Sequence, residues 1–126
     1  MQRLEINMTV YKDQTVDIVL DENGYFEHED KQTTWGAKID LHYTILGVDF
    51  GDKIDPSQDK GWNFELDCSC NNQHKEKKDV PTGQEWKCSV DTNGMGHDTT
   101  FNFKCTAITG PDMGRAIVTL HYLCKD

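Results

Sequence analysis

The stretch from Trp62 to Cys70 alternates apolar and polar residues and contains two cysteines in its apolar phase. Successive side chains of a β-strand point to opposite faces, so Trp62, Cys68 and Cys70 are predicted to share one face. Two later segments, 86–90 and 101–107, repeat the alternation and also carry a cysteine in the apolar phase. The chain is therefore predicted to fold around sheets that bury one face, with thiols pointing into the core.

The remaining segments predict seven to nine short strands and no amphipathic helix. Alternation at 4–10 and 16–20 predicts a hairpin, 115–124 predicts a final strand, and a change of phase between Thr44 and Gly47 predicts a β-bulge. Residues 25–34 are predicted to be an exposed loop, and 71–82 a lysine-rich hydrophilic excursion. This spacing is typical of an all-β fold in a single domain spanning residues 1–126, either an antiparallel β-barrel or a β-sandwich.

The charge balance excludes several classes of partner. Thirteen Lys and Arg residues against 22 Asp and Glu give a net charge of -9. An acidic chain repels polyphosphate and anionic lipid, so binding to nucleic acid or insertion into a membrane is not expected. No apolar run approaches the ~18 residues of a membrane-spanning helix. Five cysteines in so short a chain favour a secreted, extracellular protein whose signal peptide has been removed over a reduced cytosolic one.

The five cysteines are the residues with the clearest predicted role. Cys68 and Cys70 are too close along one strand to bond each other without distortion. We expect one of them to pair with Cys88 and expect Cys105 to pair with Cys124, each disulfide closing a loop of about 20 residues worth ~3 kcal/mol. One thiol is then left over, either buried and inert or bridging to a second chain.

Metal binding is a weaker hypothesis. Cys68, Cys70, His74 and Cys88 are enough ligands for zinc, but the Cys-x-Cys spacing on a strand differs from the Cys-x2-Cys turn that usually holds it. The loops at 49–59 and 91–98 are rich in Asp, yet neither completes a calcium-binding loop. Turns need such residues for backbone reasons alone, so no cofactor is predicted.

Catalytic machinery is not evident, and the chain is predicted not to be an enzyme. Its histidines lie on different segments outside any nucleophile motif. Trp62 and Trp86 share the phase of the inward cysteines and are predicted core residues. Trp35 follows a polar segment and is the predicted ligand-binding aromatic residue.

Three short segments resemble one known family. Leu66-Asp67-Cys68, Glu85-Trp86-Lys87-Cys88 and Phe101-Asn102-Phe103 are similar to the pattern in the fungal secreted proteins typified by the Alternaria major allergen, over residues 62–124. The resemblance implies a β-barrel with two disulfides, dimerisation, and a role as an allergen, effector or elicitor that meets plant defence proteins or binds small phenolic ligands. It implies no enzymatic activity. The family's early cysteine, which forms its intermolecular bridge, is absent from this sequence.

The sequence thus predicts a secreted, disulfide-stabilised binding protein. Its expected partner is a host extracellular protein or a small ligand, in the manner of a fungal effector or elicitor, and the protein is expected to form a homodimer. The alternative is a small carbohydrate-binding or carbohydrate-processing module, suggested by the acidic loops and Trp35.

Overall fold

The computed structural model describes residues 13–34, 37–51, 55–92, 96–110 and 116–125, apart from the side chains of His97, Cys124 and Lys125. Within these ranges the chain forms eight strands, two short 3-10 turns at Pro56–Gln58 and Cys70–Asn72, and no α-helix. The strands are β1 (Gln14–Val19), β2 (Tyr25–Thr34), β3 (Lys38–Asp49), β4 (Trp62–Cys68), β5 (Gln73–Val80), β6 (Glu85–Asp91), β7 (His97–Ala107) and β8 (Ile117–Lys125).

The strands form two four-stranded antiparallel sheets. Sheet A has the order β1-β8-β3-β6 and sheet B the order β2-β7-β4-β5. The sheets pack face to face as a sandwich, so the predicted all-β antiparallel fold is confirmed and the closed barrel is not formed. The predicted bulge is confirmed as well, because the register of β3 against β8 shifts between Ile45 and Gly47.

The core lies between the sheets and is dominated by aromatic rings. Tyr43, at the centre of sheet A, stacks on Phe103 of sheet B with ring centroids 4.4 Å apart. Tyr122 lies 5.2 Å from Tyr43, and Phe64 packs edge-on against Phe103 at 5.3 Å. The inward phase predicted for 62–68 is confirmed, because its apolar residues are all buried, namely Trp62, Phe64, Leu66 and Cys68. Cys70 is buried too, but in the 3-10 turn after β4 rather than in the strand.

Two segments predicted as non-strand are edge strands. Residues 25–34 were expected to be a loop but form β2, and most of the 71–82 excursion forms β5. The alternation is missing because an edge strand is only partly covered and tolerates polar side chains on its inner face. On β2, His28 and Asp30 fill that face, and the buried Tyr122 hydroxyl donates to Asp30 Oδ2 at 2.8 Å. The predicted strand at 4–10 lies outside the described residues.

Gln73 joins the two sheets at the side formed by β5 and β6. Its Nε2 donates to the Asp91 carbonyl oxygen at 2.7 Å, and the Asp91 amide donates back to Gln73 Oε1 at 2.8 Å. The same Nε2 donates to the Cys70 carbonyl oxygen at 2.8 Å. A side-chain amide thus reproduces the paired hydrogen bonds of a strand and fixes where β5 begins relative to β4.

Two glycines with the same backbone angle provide a test of packing at the start of β4. Gly61 and Gly83 both have a φ of 91°. A Cβ at Gly61 would lie 2.7 Å from the Val80 carbonyl oxygen, whereas one at Gly83 would meet nothing within 4 Å. We expect both alanine variants to lose roughly 1–2 kcal/mol of stability from the left-handed backbone.

Gly61→Ala should lose more than Gly83→Ala, because the β4 and β5 backbones must also move apart. Urea denaturation of the two variants measures the difference in the free energy of unfolding. Equal losses would show that Gly61 is needed only for its backbone angle and not for close approach.

Candidate functional site

A cleft of about 330 Å³ opens on the outer face of sheet B, where β4 ends and the Cys70–Asn72 turn begins. Its size is at the lower end of the range of small-molecule sites. Its lining residues carry amides, hydroxyls, a carboxylate and an imidazole, although most of the surface they expose to the cleft is apolar. The lining residues are Asp67, Cys68, Ser69, Asn72, Gln73, His74, Thr100 and Asn102.

Strand register brings these residues together. Asp67 of β4 is directly opposite Asn102 of β7 on one side and His74 of β5 on the other. One residue beyond the end of β4, Ser69 continues the pairing through its amide, which donates to the Thr100 carbonyl oxygen at 3.0 Å. The outward phase of β4, which the sequence showed as its polar face, therefore becomes one wall of the cleft.

The turn that closes the cleft uses two asparagines with left-handed backbones. Asn71 has a φ of 60° and Asn72 a φ of 50°. Asparagine tolerates this region better than most residues, although two in succession are uncommon. Together with the Gln73 bonds to Asp91, this backbone presents Asn72 to the cleft and starts β5 so that His74 lies beside Asp67.

Asp67 interacts with two basic side chains on the outer face of sheet B. His74 Nδ1 lies 2.6 Å from Asp67 Oδ1, and Lys104 Nζ donates to Asp67 Oδ2 at 2.8 Å. These two bonds, the one from His74 foremost, hold the pKa of Asp67 below its ordinary value. The same carboxylate raises the pKa of His74 and that of Lys104. Both oxygens of Asp67 are thus committed, and its charge is balanced locally.

Asn102 has an unsatisfied acceptor. Its Nδ2 donates to Glu27 Oε2 at 2.6 Å, and this bond lowers the pKa of Glu27, aided by the Tyr25 hydroxyl that donates to Oε1. Because a carboxylate only accepts, the bond to Glu27 identifies the nitrogen of the amide. The Oδ1 of Asn102 is buried and has no hydrogen-bond partner among the described residues. An unpaired buried acceptor costs about 1–3 kcal/mol, which a donor from a ligand or a water would recover.

The thiol that borders the cleft is not an activated nucleophile. Cys68 is the thiol at its border, and burial raises the pKa of Cys68 above its ordinary value. A thiol is a weak nucleophile until it ionises, so this cysteine is not activated. Several of the surrounding groups are bonded within the protein, since Gln73 Nε2 and Asn102 Nδ2 donate to protein oxygens and Ser69 Oγ accepts from the Thr100 amide.

The predicted disulfide cysteines are only partly brought together. Cys68, Cys70, Cys88 and Cys105 are free thiols in this structure, so the predicted bonds are not present in it. Burial is the main reason that the pKa of Cys88 is raised to about 12, and Cys88 packs partly buried against the same core that contains Cys68. Cys105 is buried between its strand neighbours Phe26 and Phe64. The side chain of Cys124 lies outside the described part of the chain.

The other residues predicted to bind a ligand or a metal are either outside the described residues or not brought together. Trp35 lies outside the described residues, so its role stays a prediction. The zinc set is not assembled, because Cys68 and Cys88 point between the sheets whereas His74 lies on the outer face of sheet B. Residues 52–54 and 93–95 of the two acidic loops also lie outside the described ranges.

Sequence reasoning missed Gln73, His74 and Asn102 as members of one site. The alternation of β4 marks Asp67 as outward, and the same signal in 101–107 marks Asn102 as outward. Nothing in the sequence marks 73–80 as a strand, so His74 could not be placed beside them.

A second cleft, of about 320 Å³, lies on sheet A and is lined by Asp40, His42, Lys87, Cys88 and Ser89. The Ser89 hydroxyl donates to Asp40, and His42 Nδ1 lies 3.1 Å from Glu85 Oε2. Its hydroxyl and imidazole are therefore already bonded within the protein, unlike the amide oxygen of the cleft on sheet B.

Comparisons with known proteins give little beyond the fold. No family model matches the sequence, and no curated protein matches it significantly. Among solved structures, the carbohydrate-binding module TmCBM61 in complex with β-1,4-galactotriose is similar, with a TM-score of 0.48 and 10% identity, over 95% of this chain and 88% of that one. Similarity this low says nothing about what this chain binds. Within the described residues, no helix is long and apolar enough to span a membrane.

The pairing of Asp67 with His74 predicts a specific titration behaviour. We expect His74 to titrate above its ordinary pKa of about 6.5 in the wild type and at a lower pKa in Asp67→Asn, because the bond to Asp67 is the largest cause of the shift. Because the pKa of His74 is raised and that of Asp67 is lowered, the pair stabilises the fold between the two values; the contribution is lost as pH rises through the folded pKa of His74 and as it falls through that of Asp67. Both side chains are more than a third exposed, so the effect on unfolding should stay below about 1 kcal/mol.

Proton NMR of the imidazole resonances against pH, in metal-free buffer, measures this. The matched control is Asp17→Asn, an exposed carboxylate on β1 of sheet A, which should leave the titration of His74 as in the wild type. An unchanged His74 pKa in Asp67→Asn would contradict the bond.

Proposed function

We propose that this chain is a non-catalytic binding module and that the cleft on the outer face of sheet B holds a carbohydrate. The observation that carries the proposal is the buried, unpaired Oδ1 of Asn102 at the border of a cleft lined by amides and hydroxyls. A sugar hydroxyl is a neutral donor of the kind that this oxygen lacks, and its own oxygen can accept from a neighbouring amide.

The electrostatics of the face favour a neutral ligand. The chain has a net charge of -9, which disfavours phosphate-bearing ligands. Two acids on this face are satisfied by neighbouring donors, since Glu27 accepts from Asn102 and Tyr25, and Asp67 accepts from Lys104 and faces His74. A polyhydroxylated ligand suffers no repulsion here and meets both donors and acceptors.

Screening against an array of neutral oligosaccharides, followed by calorimetry on the best ligand, tests this proposal. Asn102→Ala should weaken binding at least about tenfold, because it removes both the free acceptor and the amide that holds Glu27. The matched control is Asn63→Ala, an asparagine on the same face of β4 whose Oδ1 accepts from the Asp79 amide at 3.1 Å. Asn63→Ala should bind as the wild type does.

Two outcomes would refute the assignment. One is an array with no ligand above background for folded wild-type protein. The other is an identified sugar whose affinity is unchanged by Asn102→Ala, since the sugar would then bind elsewhere.

The second candidate is a secreted effector or elicitor that meets a host protein, as the family resemblance suggests. The observation that favours it is an apolar pair on the outer face of sheet A, where Val19 lies directly opposite Ile117 in the register and both are more than half exposed. Exposed β-branched side chains paired in this way are suited to a protein surface and contribute nothing to sugar recognition.

Secretion predicts a particular disulfide. Cys68 lies in the inward phase of β4 and Cys88 packs against the same core, whereas Cys70 lies in the 3-10 turn, so we expect a Cys68–Cys88 bond in protein recovered from an oxidising compartment. Non-reducing peptide mapping should link the peptides of these two residues and leave Cys70 as a thiol. A Cys70–Cys88 link would contradict the placement of Cys68, and five free thiols would contradict secretion.

A further inference from the structure

We propose that Glu65, His74 and Glu76, on the outer face of sheet B, form a binding site for a divalent transition-metal ion of the zinc class. His74 Nε2 lies 3.9 Å from Glu65 Oε1 and 3.6 Å from Glu76 Oε1. The ligand atoms of the three residues all lie within 4.8 Å of one another. Two donor atoms that are each ~2.1 Å from a tetrahedral ion are ~3.4 Å apart. Side-chain rotations that shorten the two His74 distances by a few tenths of an ångström, and the distance between the carboxylates by at most about 1.4 Å, therefore bring this set to metal distance.

The carboxylates of Glu65 and Glu76 lie close together, and a bound cation would explain this placement. Glu65 of β4 and Glu76 of β5 are direct cross-strand partners in the register. Like charges directly opposite each other destabilise a sheet. Within the described part of the chain, the ion pairs of both carboxylates are with His74 alone. Lys104, which is opposite Glu65 on β7, instead donates to Asp67 at 2.8 Å.

The imidazole is oriented for metal binding and not for a simple ion pair. Its Nδ1 is committed to Asp67 at 2.6 Å, so Nε2 is the nitrogen that faces Glu65 and Glu76. In metal sites, the histidine nitrogen that does not bind the ion usually donates to a carboxylate or another acceptor, which fixes the tautomer and the orientation of the ring. Lys104 in turn holds Asp67 in place.

The donor set selects the kind of ion. One imidazole nitrogen and two carboxylate oxygens suit zinc and its neighbours, whereas calcium and magnesium prefer oxygen ligands alone. All three side chains are roughly half exposed, which leaves coordination positions open to water. The site adjoins the cleft through His74, but the inference does not depend on the proposed sugar ligand, and its test contains no sugar.

Equilibrium dialysis of the whole chain against Zn²⁺ tests the site. We expect one ion per chain in the wild type, at least tenfold weaker binding in His74→Ala and in Glu76→Gln, and about 10–100-fold weaker binding in Asp67→Asn. The matched controls are His42→Ala, a histidine beside a single carboxylate on sheet A, and Glu29→Gln, an exposed carboxylate on β2. Both controls should bind as the wild type does.

The thiols require their own control, since zinc also binds cysteine. Cys88→Ser should retain the ion. Loss of zinc in Cys88→Ser with retention in His74→Ala would assign the ion to the cysteines and overturn the proposal, as would displacement of zinc by calcium at equal concentration. Circular dichroism checks that each variant is folded. If His74→Ala does not fold, the zinc affinity of Glu76→Gln, whose substitution lies on an exposed edge strand, tests the proposal instead.

Discussion

The structure depends on the stack of Tyr43 against Phe103 at the centre of the sandwich. These rings come from the middle strands of opposite sheets and lie 4.4 Å apart. Each is also in contact with a further ring, Tyr122 or Phe64, so one aromatic cluster fixes the sheets relative to each other. Such pairs contribute about 0.5–1.5 kcal/mol each beyond the burial of their area. With the inner faces fixed in this way, the outward residues of β4 and β7 acquire fixed positions too.

The same strand therefore serves stability and recognition on its two faces. The inward phase of β4 ends in Cys68, in the core, while its outward phase supplies Glu65 and Asp67. Phe103 anchors β7 from inside, and the adjacent Asn102 points outward beside Asp67. A site built on paired central strands is held by backbone hydrogen bonds, so its polar groups are positioned before any ligand arrives. Only the Cys70–Asn72 turn and the start of β5 are irregular, and Gln73 ties them to sheet A.

The edge strands show where reasoning from sequence alone fails. In β2, His28 and Asp30 occupy inward positions where the pattern of a strand requires apolar residues, and Tyr122 from the opposite sheet satisfies them. In β5, lysines 75 and 77 are in register with the buried Leu66 and Phe64 yet remain exposed, because no further strand covers that edge. Periodicity detects burial on one face, so a strand buried on neither face leaves no such signal. The missing signal also hides residues of the candidate sites, because β5 carries His74 and Glu76.

The sequence by itself determined the central strands, the inward direction of their cysteines, the bulge in β3 and the antiparallel all-β class. Each of these follows from alternation, which is a local property of the chain. Only the tertiary structure decided between sandwich and barrel, and only it brought Asp67, His74 and Asn102 into one cleft. Those outcomes depend on which strands become neighbours and in which register. That choice is made by packing of the two sheets around the Tyr43 and Phe103 rings, and no short segment contains the information for it.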